Sequence, residues 1–269
     1  MESDLRVRLL EALDRHDRLT VAVSGGVDSM TLAFIAHRFA RGQVSVVHAV
    51  SPAVPAEATA RVESYAAREA WGFTKVDAGE FNDPSYRSNP RDRCYFCKSC
   101  LYDRIGALAE GAIASGANLD DLDDYRPGLR AAAERRVVHP FIEGGIDKVG
   151  VRALARRHGL TDLAELPAQP CLSSRVETGI VIDPSALAFI DRVEQALRAA
   201  IPRSVTLRCR ITHEGVAVEV ADVGSGEAEN LAAIAAVLCG EEGHRFLGVR
   251  PYRRGSAFVA APANGRPEG

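Results

Sequence analysis

The sequence predicts an α/β protein, in which a doubly wound parallel sheet comes first and a smaller α+β domain follows. Short apolar segments alternate with helical segments through the first part of the 269-residue chain, which is typical of parallel strands joined by crossover helices. Two prolines then interrupt the pattern in LPAQPC at 166–171. We therefore expect domains over 1–165 and 166–269, and a disordered tail at 261–269.

The elements of the first domain follow from their own patterns. Residues 3–16 carry leucines at helical spacing, which predicts an amphipathic helix. The stretch 82–98, rich in Asn, Pro and Arg, predicts a long functional loop. The predicted strands are LTVAVSG, VSVVHAVS, FTKVDAGEF and AIASGANLDD, and YRPGLRAAAERRVVHPF reads as a helix and then a strand. The other predicted helices are MTLAFIAHRFARG, AEATARVESYAAREAWG, CLYDRIGALAEG and KVGVRALARRHGL, three of them closed by Gly42, Gly72 and Gly159.

The second domain reads as a mixture of helices and paired strands. PSALAFIDRVEQALRAAI and EAENLAAIAAVLCG predict helices, and SVTLRCRITHEGVAVEVAD predicts a strand, a turn and a strand. HRFLGVRP and SAFVA predict further strands.

Composition excludes several classes of protein. No apolar run approaches the roughly 18 residues that cross a bilayer, and the first residues are charged where a signal peptide would be apolar. We therefore expect a cytoplasmic protein without a membrane partner. The net charge is -3. Nucleic-acid-binding proteins usually carry a basic surface, so this charge argues against that class. Six cysteines in a cytoplasmic chain do not predict a disulfide framework.

The stretch VAVSGGVDSM at 21–30 places two glycines where a strand passes into a helix. The glycines allow a sharp turn and a close approach of a ligand to the backbone. The helix offers unpaired N–H groups and the positive end of its dipole to an anion. Ser24 and Ser29 add hydroxyl donors, and Asp28 suits a Mg²⁺ ion carried on phosphates. Neither the Walker signature nor GxGxxG is present, and the alternative is a turn that only caps a helix.

This stretch resembles the pyrophosphate-binding loop of the N-type ATP pyrophosphatases, which split ATP into AMP and pyrophosphate. The resemblance implies ATP and Mg²⁺ as cofactors, and it implies that the loop holds the pyrophosphate of ATP. The residues assigned to ATP in this way are Ser24, Gly25, Gly26, Asp28 and Ser29.

Further stretches narrow the resemblance to the LarE family of ATP-dependent sulfur transferases, which supply sulfur for the nickel-pincer nucleotide cofactor. These stretches are SPAVPAEATARVESYAA at 51–67, NPRDRCYFCK at 89–98, NLDDLDDYRPGLRAAAE at 118–134, CLSSRV at 171–176, LRCRITHEGVAVEV at 207–220 and PYRRGS at 251–256. In that family, ATP adenylates a carboxylate of a pyridinium dicarboxylate mononucleotide. A cysteine then attacks the acyl adenylate, and its sulfur is left on the substrate.

Cys171 occupies the position of that cysteine. A thiolate is a natural nucleophile toward an activated carboxylate, and Arg175 either lowers the pKa of the thiol or holds an anionic substrate. A single cysteine is often only a small buried hydrophobe, but the prolines before it and Ser-Ser-Arg after it favour a loop. We therefore expect Cys171, Asp28 and Arg175 to be the catalytic residues.

The resemblance also implies a site for the phosphate of the nucleotide substrate. Arg208 and Arg210 alternate on a strand and share one face, and with Arg253 they match family positions that hold the phosphate by charged forks. Glu219, on the next strand, orients them. The alternative is a solvated strand face.

The cysteine cluster matches one branch of the family, in which a CxxC pair joins the nucleophilic cysteine to bind a [4Fe–4S] cluster that carries an extra sulfide. Cys94, Cys97 and Cys171 fit this ligand set. In the other branch the single cysteine donates its own sulfur and becomes dehydroalanine. Cys100 leaves open zinc bound to all four thiols, or reduced thiols without a metal. Cys209 and Cys239 are expected to be structural.

The sequence is also compatible with three other functions. A tRNA thiolase shares the loop and the cluster but requires a basic RNA-binding surface; an amidating ATP pyrophosphatase gives the cysteines no role; a nucleotide-sensing module binds ATP without splitting it. The resemblance implies a homo-oligomer. We expect His48 and His139 to be packed histidines, and an acidic turn either positions Mg²⁺ or ATP or is a solvated loop; its residues are Asn118, Asp120, Asp121 and Asp124.

Overall fold

The structure is a computed structural model that describes residues 2–123, 126–202 and 205–259. Along these residues the strands are β1 (Arg18–Val23), β2 (Gln43–Val50), β3 (Gly72–Asp77), β4 (Ala112–Ser115), β5 (Leu207–Thr212), β6 (Gly215–Val220) and β7 (Phe246–Pro251). The α-helices are α1 (Glu2–Leu13), α2 (Val27–Phe39), α3 (Ala56–Glu69), α4 (Pro84–Arg87), α5 (Arg93–Gly106), α6 (Pro127–Glu134), α7 (Pro140–Glu143), α8 (Lys148–Arg157), α9 (Thr161–Ala164), α10 (Pro184–Arg198) and α11 (Ser225–Glu241).

The chain forms two compact units. The first contains the residues up to Asp83 together with Cys94–Pro170, and the second contains Pro84–Arg93 together with the chain from Cys171 onward. The division therefore falls after Pro170, whereas the sequence suggests a boundary after residue 165. The short segment 84–93 belongs to the second unit. The predicted boundaries had placed it in the first domain.

The first unit is built on a parallel sheet in the order β3-β2-β1-β4. Neighbouring strand residues enter opposite hydrophobic clusters: Val46 packs in the cluster that contains α2 and α8 residues, and Val47 packs in the cluster that contains α5 residues. Burial on both faces explains why these strands read as nearly continuous apolar runs. The predicted α/β class with a doubly wound parallel sheet is confirmed.

The second unit contains a smaller mixed sheet in the order β5-β6-β7. Strands β5 and β6 pair antiparallel, and β6 and β7 pair parallel. Helix α10 buries Leu187, Ile190, Val193 and Leu197, which recur at helical spacing and face the core of this unit. The expected α+β character of the second part of the chain is therefore confirmed.

Several local expectations differ from the structure. Helix α3 ends at Glu69 and is capped by Ala70, which takes the left-handed conformation (φ 52°), and Gly72 already begins β3. Helix α5 starts within the stretch predicted as a loop. Val138 makes only an isolated bridge to Ala114 instead of a strand. In SAFVA, Ser256 and Ala257 lie in a turn and residues 258–259 have no regular structure. The tail at 261–269 and Asp124 lie outside the described residues.

Within the described ranges, no helix combines the length and the apolar character that crossing a membrane requires.

Candidate active site

The loop after β1 stands where the strand order of the first sheet reverses. The chain proceeds from β1 to β2 and β3 on one side and returns to β4 on the other, and ligands of such sheets bind at the carboxyl ends of the strands at this point. Ser24 follows β1 directly, Gly26 caps α2, and Gly25 between them has φ +80°. A Cβ atom at Gly25 would lie 2.7 Å from the carbonyl oxygen of Ala58, so both space and backbone conformation require glycine there.

The two predicted serines, at the two ends of this loop, are hydrogen-bonded to each other. The backbone N–H of Ser24 donates to Oγ of Ser29 at 3.0 Å, and the two hydroxyl oxygens are 3.3 Å apart. Ser29 lies in the first turn of α2 and is buried. The loop therefore presents hydroxyl groups and the start of a helix together, an arrangement suited to an anion.

Asp28 contacts two residues, and neither contact was predicted from the sequence. Its carboxylate accepts a hydrogen bond from Nδ2 of Asn118 at 3.2 Å and forms an ion pair with Lys148 at the start of α8. Asn118 is buried and accepts from the N–H of Asp120, while Asp121 bonds back to the N–H of Asn118. The turn predicted as acidic thus orients Asn118 toward Asp28. A carboxylate here fits Mg²⁺ bound to nucleotide phosphates, because Mg²⁺ is usually held by one or two carboxylates plus phosphates.

The two histidines near the strand ends are packed side chains. His48 is fully buried, with Nδ1 2.9 Å from the carbonyl oxygen of Val23 and Nε2 3.0 Å from the hydroxyl of Thr59. Burial lowers the pKa of His48, against an opposing effect of the Val23 hydrogen bond. His139 bonds to Oγ of Ser115 at 2.8 Å, and burial lowers its pKa as well.

Cys94, Cys97 and Cys100 lie on helix α5 and are half-buried. Their spacing of three residues brings neighbouring thiols to one side of the helix. Burial raises the pKa of Cys100, with the nearby Asp83 and Glu80 carboxylates acting in the same direction. Among the described residues, no group of three or more His, Cys, Asp and Glu side chains is placed to hold a metal ion. The described thiols therefore do not form a preformed site for an iron–sulfur cluster.

Cys171 belongs to the second unit, whereas Cys94 and Cys97 belong to the first. It is exposed and caps a single 3₁₀ turn, Leu172–Arg175. Arg175 is buried and donates twice to Glu194, from Nε and NH2 at 2.9 Å each. Its third nitrogen, NH1, donates to the carbonyl oxygen of Cys171 at 3.1 Å. Arg175 thus fixes the backbone of Cys171. Glu194, on α10, is not among the site residues predicted from the sequence.

The segment 84–93 holds the same turn within the second unit. The hydroxyl of Tyr86 and Oγ of Ser173 are 2.6 Å apart. Asn89 is fully buried in the left-handed region (φ 55°), and its Nδ2 donates to the carbonyl oxygens of Glu177 and Ile180 at 2.8 and 2.9 Å. These contacts fix the chain after Cys171 while its thiol is exposed.

Three of the four residues of the predicted arginine site are buried, namely Arg208, Arg210 and Glu219. Arg210 donates from Nε to Oε2 of Glu219 at 2.9 Å, and Arg250 lies 3.1 Å from Oε1 of the same carboxylate. Arg208 is buried, and burial together with the nearby Arg175 lowers its pKa to about 10. A solvated strand face is therefore excluded. Arg253 is exposed after β7, and the role of these residues toward a phosphate stays a prediction.

The remaining cysteines lie in the core of the second unit. Cys209 and Cys239 are fully buried, and burial raises the pKa of Cys209 well above its ordinary value. The expectation that both are structural agrees with this placement.

No protein-family model matches the chain. An uncharacterized protein of Synechocystis, slr1717, is 38% identical over 205 residues, which cover 74% of this chain and 75% of the relative. The pyridinium-3,5-bisthiocarboxylic acid mononucleotide synthase of Lactiplantibacillus plantarum is 28% identical over 228 residues, 82% of this chain and 81% of the synthase. The uncharacterized protein MJ0830 of Methanocaldococcus jannaschii is 24% identical over 208 residues, 72% of this chain and 75% of that protein. The chain therefore belongs to the same family as the Synechocystis protein, and its similarity to the synthase supports the LarE family.

Proposed function

We propose that this chain is an ATP-dependent sulfur transferase that converts a carboxylate of a pyridinium dicarboxylate mononucleotide into a thiocarboxylate. The observation that carries the proposal is the exposed Cys171, fixed through its backbone by Arg175, in a chain 28% identical to a synthase named for a bisthiocarboxylic acid mononucleotide. The loop at the switch point of the parallel sheet supports the ATP-dependent part of the reaction.

In the first step, a carboxylate oxygen of the substrate attacks the α-phosphorus of ATP. The bond between the α- and β-phosphates breaks, and pyrophosphate leaves with its electron pair. Ser24, Gly25, Gly26 and Ser29 would hold the pyrophosphate, and Asp28 would hold the Mg²⁺ that neutralises it. The product is an acyl adenylate, in which AMP is a good leaving group.

In the second step, the Cys171 thiolate attacks the acyl carbon. A carbon–sulfur bond forms as the carbon–oxygen bond to AMP breaks, which gives a thioester and free AMP. Where the cysteine is the sulfur donor, its Cα proton is removed and its Cβ–S bond breaks. The substrate then leaves as a thiocarboxylate, and residue 171 becomes dehydroalanine.

Three arginines of the second unit would bind the phosphate of the mononucleotide. Arg208, Arg210 and Arg253 supply charged donors that match phosphate geometry, and Glu219 keeps Arg210 in place through the 2.9 Å contact described above. Removing either buried arginine should therefore raise the KM for the nucleotide substrate more than it changes the KM for ATP.

The deciding experiment combines ATP, Mg²⁺ and pyridinium-3,5-dicarboxylic acid mononucleotide with the purified protein. We expect pyrophosphate, AMP and a thiocarboxylate. Cys171→Ser should still release pyrophosphate, because the first step does not use the thiol, but it should form no sulfur-containing product by mass spectrometry. Sulfur transfer by Cys171→Ser at the wild-type rate would contradict the assigned nucleophile.

The source of the sulfur is tested on the same protein, purified without oxygen. Loss of hydrogen sulfide from the Cys171 peptide after turnover indicates the sacrificial route. A brown protein with about four irons per chain, lost in Cys94→Ala or Cys97→Ala, indicates the cluster-borne route. From the family resemblance we also propose that the enzyme is cytoplasmic and forms a homo-oligomer. Analytical ultracentrifugation would test the oligomeric state.

A further inference from the structure

Helix α3 holds the carbonyl group of Gly25 in the loop after β1. Arg61, about one turn beyond the Ala58 contact of Gly25, donates from NH1 to the Gly25 carbonyl oxygen at 2.8 Å. A charged donor makes a stronger hydrogen bond than a neutral one. The conformation of the loop is therefore coupled to the position of one arginine on α3.

The same guanidinium also contacts the segment that leads to Cys171. Arg61 NH1 donates to Oε1 of Gln169 at 3.0 Å, and Nε2 of Gln169 donates to Oε1 of Glu57 at 2.7 Å. Glu57 and Arg61 are four residues apart on α3 and so project from one face. A carboxylate only accepts and a guanidinium only donates, so these two partners fix the orientation of the Gln169 amide.

Gln169 stands two residues before Cys171, and Pro170 lies between them. Proline fixes its own φ and restricts the residue before it. Two residues of chain span about 7 Å at most. Holding the Gln169 side chain therefore restricts the positions available to the backbone of Cys171.

We propose that Arg61 and Gln169 are positioning residues for the sulfur-transfer step. They link the loop that would bind ATP to the segment that carries the nucleophile, so that the Cys171 thiolate meets the acyl carbon as AMP leaves. This inference rests on the function proposed above. It assigns to the pair the formation of the thioester, and not the adenylation that precedes it.

The test uses an exchange of side chains across the contact. Gln169→Glu places a second carboxylate against Glu57, whereas the double variant Glu57→Gln with Gln169→Glu restores one donor and one acceptor to each contact. In single-turnover experiments with ATP and the dicarboxylate mononucleotide, Gln169→Glu should slow thioester formation about tenfold. Its ATP–pyrophosphate exchange should stay within about twofold of wild type, and the double variant should recover most of the lost rate.

Glu165→Gln is the matched control, because Glu165 lies in the same connecting segment but pairs with Arg156 at 2.9 Å. It should keep both wild-type rates. Thermal unfolding of each variant is measured first, and Gln169→Ala takes the place of Gln169→Glu if the latter does not fold.

The outcomes separate the inference from the proposed function. A wild-type protein that forms no acyl adenylate overturns both. A wild-type protein that completes both steps, while Gln169→Glu matches the control or slows both steps equally, overturns only the positioning role. The positioning role is also overturned if the double variant does not recover thioester formation. In that case Gln169→Glu would act only by disturbing the local structure.

Discussion

Gly25 takes a backbone conformation, φ +80°, in which other residues are strained, and it lies against the backbone of α3. Alanine at this position would have to move the loop away from Ala58, since its Cβ would lie 2.7 Å from the Ala58 oxygen. We expect Gly25→Ala to lower the free energy of unfolding by about 2 kcal/mol. Gly26→Ala is the control, because Gly26 has φ -81° and a Cβ there would meet only Oγ of Ser24, at 3.7 Å. Urea denaturation of the two variants measures the difference, and equal losses would contradict the steric argument.

The cysteines differ in exposure, and this predicts an order of chemical reactivity. Cys171 is exposed, whereas Cys209 is fully buried with a pKa raised by burial. Alkylation requires an accessible thiolate. With limiting iodoacetamide at pH 7.5, we therefore expect the Cys171 peptide to be modified first and the Cys209 peptide last, as measured by mass spectrometry. Equal labelling of the two peptides under native conditions would contradict the burial of Cys209.

At this scale, the sequence identified residues by type and spacing but not by partner. The glycines and serines of the loop were recognisable because a strand, a turn and a helix follow one another locally. Lys148, which pairs with Asp28, and Glu194, which holds Arg175, are distant in sequence from their partners. Nothing in the residue pattern distinguishes them from any other lysine or glutamate on a helix.

At the scale of elements, His48 connects three parts of the first unit. It lies on β2, its Nδ1 donates to the Val23 carbonyl oxygen at the end of β1, and its Nε2 bonds to the hydroxyl of Thr59 on α3. Burial lowers its pKa below the ordinary value of 6.5. The folded protein therefore favours the neutral ring, so the stabilising contribution is present above pH 6.5 and is lost as the pH falls through the lowered pKa.

We expect the free energy of unfolding to decrease below pH 6.5, with each such histidine contributing a slope of up to about 1.4 kcal/mol per pH unit. His48→Gln should reduce this slope, although it also costs stability at neutral pH. Urea denaturation at pH 7.5 and pH 5.5 measures the slope. His213→Gln serves as the control because His213 is exposed, and the same change of slope in both variants would contradict the role of burial.

Helices and strands with strong periodicity were predictable because local pattern and tertiary burial agree. The segment 82–98 was not: its prolines and asparagine indicate a loop, yet Pro84 begins α4 and Pro90 precedes α5, both of which are positions that proline tolerates. Conversely, SAFVA has the composition of a strand, but Ser256 and Ala257 lie in a turn and residues 258–259 have no regular structure. β propensity alone does not make a strand, because it depends on packing against neighbouring strands.

For the whole molecule, the central feature is that the two units are not continuous in sequence. The chain leaves the first unit after Asp83, contributes 84–93 to the second unit and returns at Cys94. A boundary read from composition finds only the single crossing near Pro170. The other two crossings depend on long-range contacts, which the sequence pattern does not encode.

The segment 84–93 should therefore be required for the second unit to fold. It buries Tyr86 and supplies the Asn89 amide to the carbonyl groups of Glu177 and Ile180, each of which would otherwise lose a partly buried hydrogen bond. Burying one aromatic side chain and satisfying these groups together contribute on the order of 4 kcal/mol.

A fragment that begins at Cys171 should consequently show little hydrogen-exchange protection around 173–182, while the same fragment with 84–93 joined ahead of it by a flexible linker should be protected. Asn89→Ala in the joined fragment should remove part of that protection, because it deletes the amide and also puts alanine at φ 55°. If the fragment without 84–93 were equally protected, the segment would be an appendage of the second unit and not one of its structural elements.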